Sequence, residues 1–253
     1  MQVNVSLGAF PGRTYQGAME LAAAATEPKW GALSISHVQL CPQNFGQLTQ
    51  TVTEQLVLDY PDTQFRLHAN VRVLPKIELF DLSQYFGRGY YFDRLAEVSK
   101  TLNAPAYTAH AGKKENADFI EIARWADQLS SKMGCPVGIE GHYPTKGNSY
   151  LVSDWAEYRE LFESGAFYAL DLSHLNIVAT ATGFVDVDLV GKMISSNRCL
   201  EVHVSENDGI GDTHQQASTQ HCWWESLLGE IHPEAVVFTE GNQIRSVRPR
   251  VTQ

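Results

Sequence analysis

The two stretches YALDLSH (168–174) and LEVHVSE (200–206) decide the fold. Each is a short β-branched, aromatic and aliphatic run that ends near a residue able to hold a metal or move a proton, Asp171 and His203, 32 positions apart. Working outward, the same pattern returns in QVNVSLG (2–8), ALSISHVQL (32–40), FRLHANV (65–71), AYTAHAG (106–112), PVGIEGH (136–142) and AVVFTEGN (235–242), eight predicted strands in all. From the second strand to the eighth, the polar residues at the C-terminal ends are Gln39, His68, His110, Glu140, Asp171, His203 and Glu240. Their gaps are 29, 42, 30, 31, 32 and 37 residues. A repeat near 32 residues, eight times over, uses up the 253-residue chain. Strands alternating with amphipathic segments imply a parallel sheet with right-handed crossovers, and a single α/β (β/α)8 TIM barrel fits best. An open doubly wound sheet would want a Gly-rich phosphate turn after the first strand, and neither Gly8 nor Gly12 opens a GxGxxG run.

Between the strands, YQGAMELAAAA (15–25), FDRLAEVSKTL (92–102) and 117–133, with Phe119, Ile122, Ala123, Ala126 and Met133, carry apolar residues at helical spacing. The run from Asp154 to Glu163 is bracketed by Ser153-Asp154, which can cap its first turn, and by Gly165, which can end it. The 42-residue gap predicts a long loop at 72–91 beside the barrel mouth, carrying Arg72, Lys76, Arg88, Phe80, Tyr85, Phe86, Tyr90 and Tyr91. Packed irregular structure and a substrate lid are both open readings for it. The barrel is expected to fill residues 1–242. At 243–253, QIRSVRPRVTQ shows no helical face, so the eighth helix is expected to be missing or replaced by an extended tail. The wall left bare would be covered by a partner subunit, as in a homodimer, or by the tail folding back.

Composition narrows the function. No run approaches the ~18 uninterrupted apolar residues of a membrane helix. The four cysteines, Cys41, Cys135, Cys199 and Cys222, form no CxxC pair and read as reduced thiols, which with the absence of a leader segment predicts a cytoplasmic protein. A net charge of −10 argues against a broad electrostatic grip on nucleic acid. The chemistry is instead concentrated at the strand ends, where TIM-barrel enzymes place their reacting groups. His68, His110, Glu140, Asp171, His174, His203, Asp212, His214 and Glu240 all belong there. Four carboxylates and five imidazoles on one mouth would repel or stay unsatisfied without a cation, and they suit zinc, manganese, iron or cobalt. His37, His142, His221 and His232 fall outside the pattern and read as structural or surface residues. Arg66 and Glu201 stand two residues before His68 and His203, so alternation turns them inward one layer deeper, on strands of the same parity. A buried structural ion pair across the barrel is expected there.

The chain resembles the xylose isomerase-like barrel superfamily, which includes endonuclease IV, the ketose epimerases and the hydroxypyruvate isomerases. The strongest motif is HVSENDGIGDTH (203–214), and GIEG (138–141), ALDLSH (169–174) and FTEG (238–241) support it. The resemblance implies that Glu140, Asp171, His203 and Glu240 hold one divalent metal, as in the isomerases and epimerases. Glu140 and Glu240 would then be the acid–base pair of a metal-stabilised enediolate mechanism, with His174 touching a substrate oxygen. With His68, His110, Asp212 and His214 added, the set also completes the nine-ligand pattern of endonuclease IV, which uses three clustered metals on a phosphodiester. Where the epimerases tend to carry a glutamate and an arginine, this chain has Lys146 and Gly209. Against a nuclease, Lys113, Lys114 and Lys146 are the only lysines just after the strand ends. A third reading is a multi-iron oxidase of peptide cysteines. One to three divalent ions are therefore expected. Three would leave the four carboxylates at about +2 and favour an anionic substrate, whereas one would leave about −2. The leading expectation is an isomerase or epimerase of a small anionic or sugar-like hydroxy-carbonyl compound, with endonuclease IV-like phosphodiester cleavage as the alternative.

Overall fold

A computed structural model of the chain describes residues 1–76, 78–219 and 221–244. Eight parallel strands close into a barrel: β1 (Val3–Ser6), β2 (Ser34–Leu40), β3 (Gln64–His68), β4 (Tyr107–His110), β5 (Val137–Glu140), β6 (Tyr168–Asp171), β7 (Cys199–Val204) and β8 (Val236–Thr239). Closure runs through β1 and β8, with Val3 opposite Val237 and Val5 opposite Thr239. Four of the strands, β1, β5, β6 and β8, are buried along their whole length, which is why they read as nearly continuous apolar runs.

Among the described residues, seven α-helices pack outside the barrel: α1 (Tyr15–Ala22), α2 (Gln50–Asp59), α3 (Gly89–Leu102), α4 (Phe119–Met133), α5 (Trp155–Glu163), α6 (Leu172–Thr182) and α7 (Val187–Ile194). Their ends follow the local chemistry. Asp118 and Glu121 form a capping box on α4, and Gly134 ends it at φ +77°. Asp154 caps α5 as expected, accepting from the Glu157 amide at 3.0 Å. One expectation is corrected by such a cap. YALDLSH is not strand to residue 174, because the Asp171 carboxylate accepts from the amides of Ser173 (2.7 Å) and His174 (3.1 Å) and starts α6 at once. The strand-end carboxylate is thus also the helix cap, and it carries His174 back over the mouth. Helix α6 buries Leu172, Leu175, Ile177, Val178 and Ala179, a stripe too broad to show a clean helical period in sequence.

The described part of 72–91 is packed structure. Val73, Phe80 and Leu82 are buried, and residues Leu82–Gly87 form a 3-10 turn leading into α3. The Tyr91 hydroxyl donates to the Val71 carbonyl at 3.0 Å. At Gly112, just past β4, φ is +93° and any Cβ would collide with Ser83, so the loop sits directly on the end of that strand.

Of the tail anticipated at 243–253, residues 245–253 lie outside the described residues. The wall beside β8 is approached by a small hairpin, Thr26–Glu27 with Gly31–Ala32. Its buried Glu27 accepts from the Thr239 hydroxyl, from Gln243 Nε2 (3.0 Å) and from the Ala217 amide (3.1 Å). Among the described residues, no helix is long and apolar enough to cross a membrane.

Candidate metal centre

All nine residues singled out above meet at the C-terminal mouth. His68, His110, Glu140 and Asp171 are the last residues of β3 to β6, His203 is one short of the end of β7, and Glu240 follows β8 directly. Asp212 and His214 come from the loop after β7. His214 is held at φ +44°, a conformation that costs a non-glycine residue of order 1 kcal/mol. The surrounding hydrogen bonds impose it: Glu206 and Gln215 pair in both directions (2.9 and 2.8 Å), and the Asn242 amide donates to the His214 carbonyl at 2.8 Å.

Glu140 sits at the centre and is buried. Its Oε1 is 3.7 Å from both His110 Nε2 and His174 Nδ1, and its Oε2 is 3.5 Å from His68 Nδ1 and 3.6 Å from His203 Nδ1. Glu240 lies 3.6 Å from His68 Nε2 and 3.5 Å from His214 Nδ1. His174 Nε2 lies between Asp171 (3.5 Å) and Asp212 (3.4 Å). Most of these contacts are too long for good hydrogen bonds. Those of His110 Nε2, His203 Nδ1, His214 Nδ1, His68 Nε2 and His174 Nε2 do match the roughly 3.4 Å that separates two ligands each ~2.1 Å from one tetrahedral ion.

A sharper test of fit is what stays unpaired. Glu140 Oε2, Asp171 Oδ2, His203 Nδ1 and His214 Nδ1 are buried and make no hydrogen bond. Four orphaned lone pairs or N–H groups at one mouth would be costly in a finished protein core. The donor set is nitrogen and carboxylate oxygen, and three groups have ligand atoms within 4.8 Å of one another: His68, His203 and Glu240; His68, His110 and Glu140; Glu140, Asp171 and His174. These residues fit a divalent metal.

Charge tells the same story. Burial works against charge on Glu140, yet the imidazoles of His68, His203 and His110 hold its carboxyl well below the usual range. Burial pushes Glu240 up to about 7. Burial also opposes a proton on His174, but the Asp171, Asp212 and Glu140 carboxylates outweigh it and raise that imidazole to about 10. The Glu140 and Asp212 carboxylates are held ionised by neighbouring imidazoles, the part a bound cation would take over.

The structure also brings in residues the sequence reading set aside or did not weigh. His142, taken as structural or surface, lines the cavity, its ring 4.5 Å from that of His110 and 4.2 Å from that of Tyr150. Strand alternation carried the signal, since residue 142 has the parity of Glu140. Tyr143 closes on His174, with ring centroids 4.9 Å apart. Asp81, from the loop 72–91, stands 3.6 Å behind His110 Nδ1 and turns Nε2 toward Glu140. Nothing local in the sequence marks Asp81. The other three histidines stay away: His37 and His232 line a cleft at the opposite end of the barrel, and His221 is exposed beside Glu225. Arg66 and Glu201 form the expected buried pair at 3.2 Å.

The cavity holds about 200 Å³ and is bounded by Pro42, Gln43 and Tyr143 besides the ligand residues. In the loop after β4, Lys113 pairs with Glu115 (3.7 Å) and Lys114 with Glu157 (2.5 Å). Those two lysines offer no free positive track.

No protein-family model and no curated protein matches the sequence. Among solved structures, the barrel is similar to a D-tagatose 3-epimerase-like protein, with a TM-score of 0.66 and 14% identity over 96% of this chain and 91% of that one. It is similar to an AP endonuclease of family 2 from Brucella melitensis, with a TM-score of 0.63 and 16% identity over 97% and 94%. It is also similar to the IolI protein solved with a zinc atom, with a TM-score of 0.60 and 13% identity over 95% and 88%. At 13–16% identity the likeness is one of fold, the closed eight-stranded TIM barrel that the strand spacing predicted.

Proposed function

We propose that this barrel is a divalent-metal-dependent isomerase or epimerase of a small, sugar-like hydroxy-carbonyl compound. The observation that carries the reading is the set of unpaired, buried ligand atoms of Glu140, Asp171, His203 and His214 at the barrel mouth, where Glu140 and His214 line one small cavity. The similar folds named as a D-tagatose 3-epimerase-like protein and an L-ribulose 3-epimerase lend support. So does the cavity volume of about 200 Å³, which suits a compound of a few carbons better than a polymer. His68, His110, Glu140, Asp171, His174, His203, Asp212, His214 and Glu240 are the residues that would hold metal. Bound there, zinc, manganese, iron or cobalt supplies Lewis-acid polarisation of a carbonyl and its neighbouring hydroxyl.

The chain's own groups supply the rest. Glu140 and Glu240 take a proton from the carbon beside the carbonyl and return it, Glu140 held ionised by its imidazoles and Glu240 more readily protonated. His174 donates through Nδ1 to the Gly141 carbonyl at 3.0 Å, so its Nε2 is fixed toward the cavity. Tyr143 and His142 line the cavity on that side.

The test is proton exchange. Incubated in D2O with D-fructose, D-tagatose or D-psicose, the metal-loaded protein should place deuterium on the carbon next to the carbonyl. Glu140→Gln or Glu240→Gln should abolish it, and exchange retained in both variants refutes their roles. One observation favours a second reading, phosphodiester cleavage: all nine residues of the three-metal pattern converge. Cleavage of an abasic-site duplex by the zinc- or manganese-loaded protein would establish it, and no cleavage would end it.

A further inference from the structure

Below the metal-binding layer, the barrel interior holds a second, closed layer of polar groups, all buried: Gln39, Arg66, Thr108 and Glu201. We infer that Glu201, acting through Thr108, fixes the tautomer of His68 and so presents Nε2 of that ring to the metal, an inference that rests on the metal reading above.

The argument is a count of protons. Arg66 holds Glu201 from one side, its Nη1 lying 3.2 Å from Oε1 and 3.3 Å from the Leu200 carbonyl. The other oxygen, Oε2, accepts from the Thr108 hydroxyl at 2.8 Å and from Gln39 Nε2 at 2.7 Å. A carboxylate only accepts, and a hydroxyl has one proton to give. The Thr108 proton is committed to Glu201, so its oxygen can only accept from His68 Nδ1, 3.0 Å away. His68 therefore carries its proton on Nδ1. Its other neighbour, Glu140 Oε2, takes no hydrogen bond from it. The lone pair is left on Nε2, the nitrogen 3.6 Å from Glu240 Oε1 and inside the ligand group of His68, His203 and Glu240.

The same carboxylate reaches a second ring. His203 turns Nε2 down toward Glu201 Oε2 (3.2 Å) and Gln39 (2.8 Å), which leaves Nδ1 facing Glu140 and Glu240. One carboxylate, a layer below the site and touching no substrate, thus orients two ligands from strands four places apart in the barrel. Glu201 is a positioning residue, and the ion pair with Arg66 holds it in place.

Two readouts test this without reference to turnover. In the metal-free wild type, nitrogen NMR of 15N-histidine-labelled protein should show His68 protonated at Nδ1. In Thr108→Val, nearly isosteric but without the hydroxyl, that single-tautomer signature should be lost. Affinity for cobalt(II), followed by its absorption bands, should fall on the order of 10–100-fold. Thr108→Ser should restore both. A wild type protonated at His68 Nε2 would overturn the inference, whatever the variants do. So would Thr108→Val with unchanged tautomer and cobalt affinity. If the wild type takes up no cobalt, the metal reading falls, while the NMR result alone still decides the relay.

Discussion

Glu140→Ala should yield a folded barrel that has lost metal binding and, with it, all measurable activity. No other side chain in the site stands between so many partners: four imidazoles, those of His68, His110, His174 and His203, lie within 3.5–3.7 Å of its two oxygens. It belongs to two of the three ligand groups, and removing it takes away the central anion, leaving Glu240, Asp171 and Asp212 at the edges of the site. Glu140→Gln is the finer instrument. It keeps the shape and removes the charge, and turnover should fall on the order of 10²–10⁴-fold, the usual worth of a positioned acid or base. Bound metal and turnover measured on the same preparations check this. A Glu140→Ala protein with wild-type metal content and rate would mean that the four imidazoles serve another purpose.

The second large effect is on stability. Glu201→Ala should destabilise the protein by about 3–5 kcal/mol, because it strips the partner from a buried Arg66 and leaves the Thr108 hydroxyl and the Gln39 amide without their acceptor. Urea unfolding of metal-free protein gives the number without interference from bound ions. The pH dependence has a definite sign. Burial would raise the Glu201 carboxyl, but its hydrogen bond with His203 and the Arg66 guanidinium hold it down to about 2. Its stabilising contribution is in place above the ordinary value near 4.5 and is lost as pH falls toward about 2. A Glu201→Ala variant should therefore lose that part of the acid dependence between those limits. An unfolding free energy within ~0.5 kcal/mol of wild type would show the pair to be dispensable.

What the sequence disclosed follows from what a barrel strand is. Strands buried on both faces leave no room for stray polar residues, so His68, His110, Glu140, Asp171, His203 and Glu240 stood out against apolar runs and marked both register and site. Two-residue alternation was enough to place Arg66 and Glu201 one layer down, 3.2 Å apart. The same rule reached His142 and went unused there, because a histidine beyond the strand end looks like a loop residue. Other features depend on contacts remote in sequence. Asp81 reaches His110 from 29 positions away through a folded loop. Thr108 is a common strand residue whose role appears only when Glu201 is seen 2.8 Å from its hydroxyl. Helix α6 escaped notice because it is buried almost all round, so no polar face interrupts the pattern; α2 is largely polar with few buried residues, and α7, though it has a polar face in Asp188 and Lys192, is only eight residues long.

The most direct test of the account is elemental analysis of the protein purified without chelators, wild type beside His110→Ala and Asp212→Ala. His110 and Asp212 approach the site from different sides, 3.7 Å from Glu140 and 3.4 Å from His174. The account predicts stoichiometric divalent metal in the wild type and a lower content when either flank is removed. A wild type that stays metal-free when zinc, manganese, iron and cobalt are each supplied would contradict it.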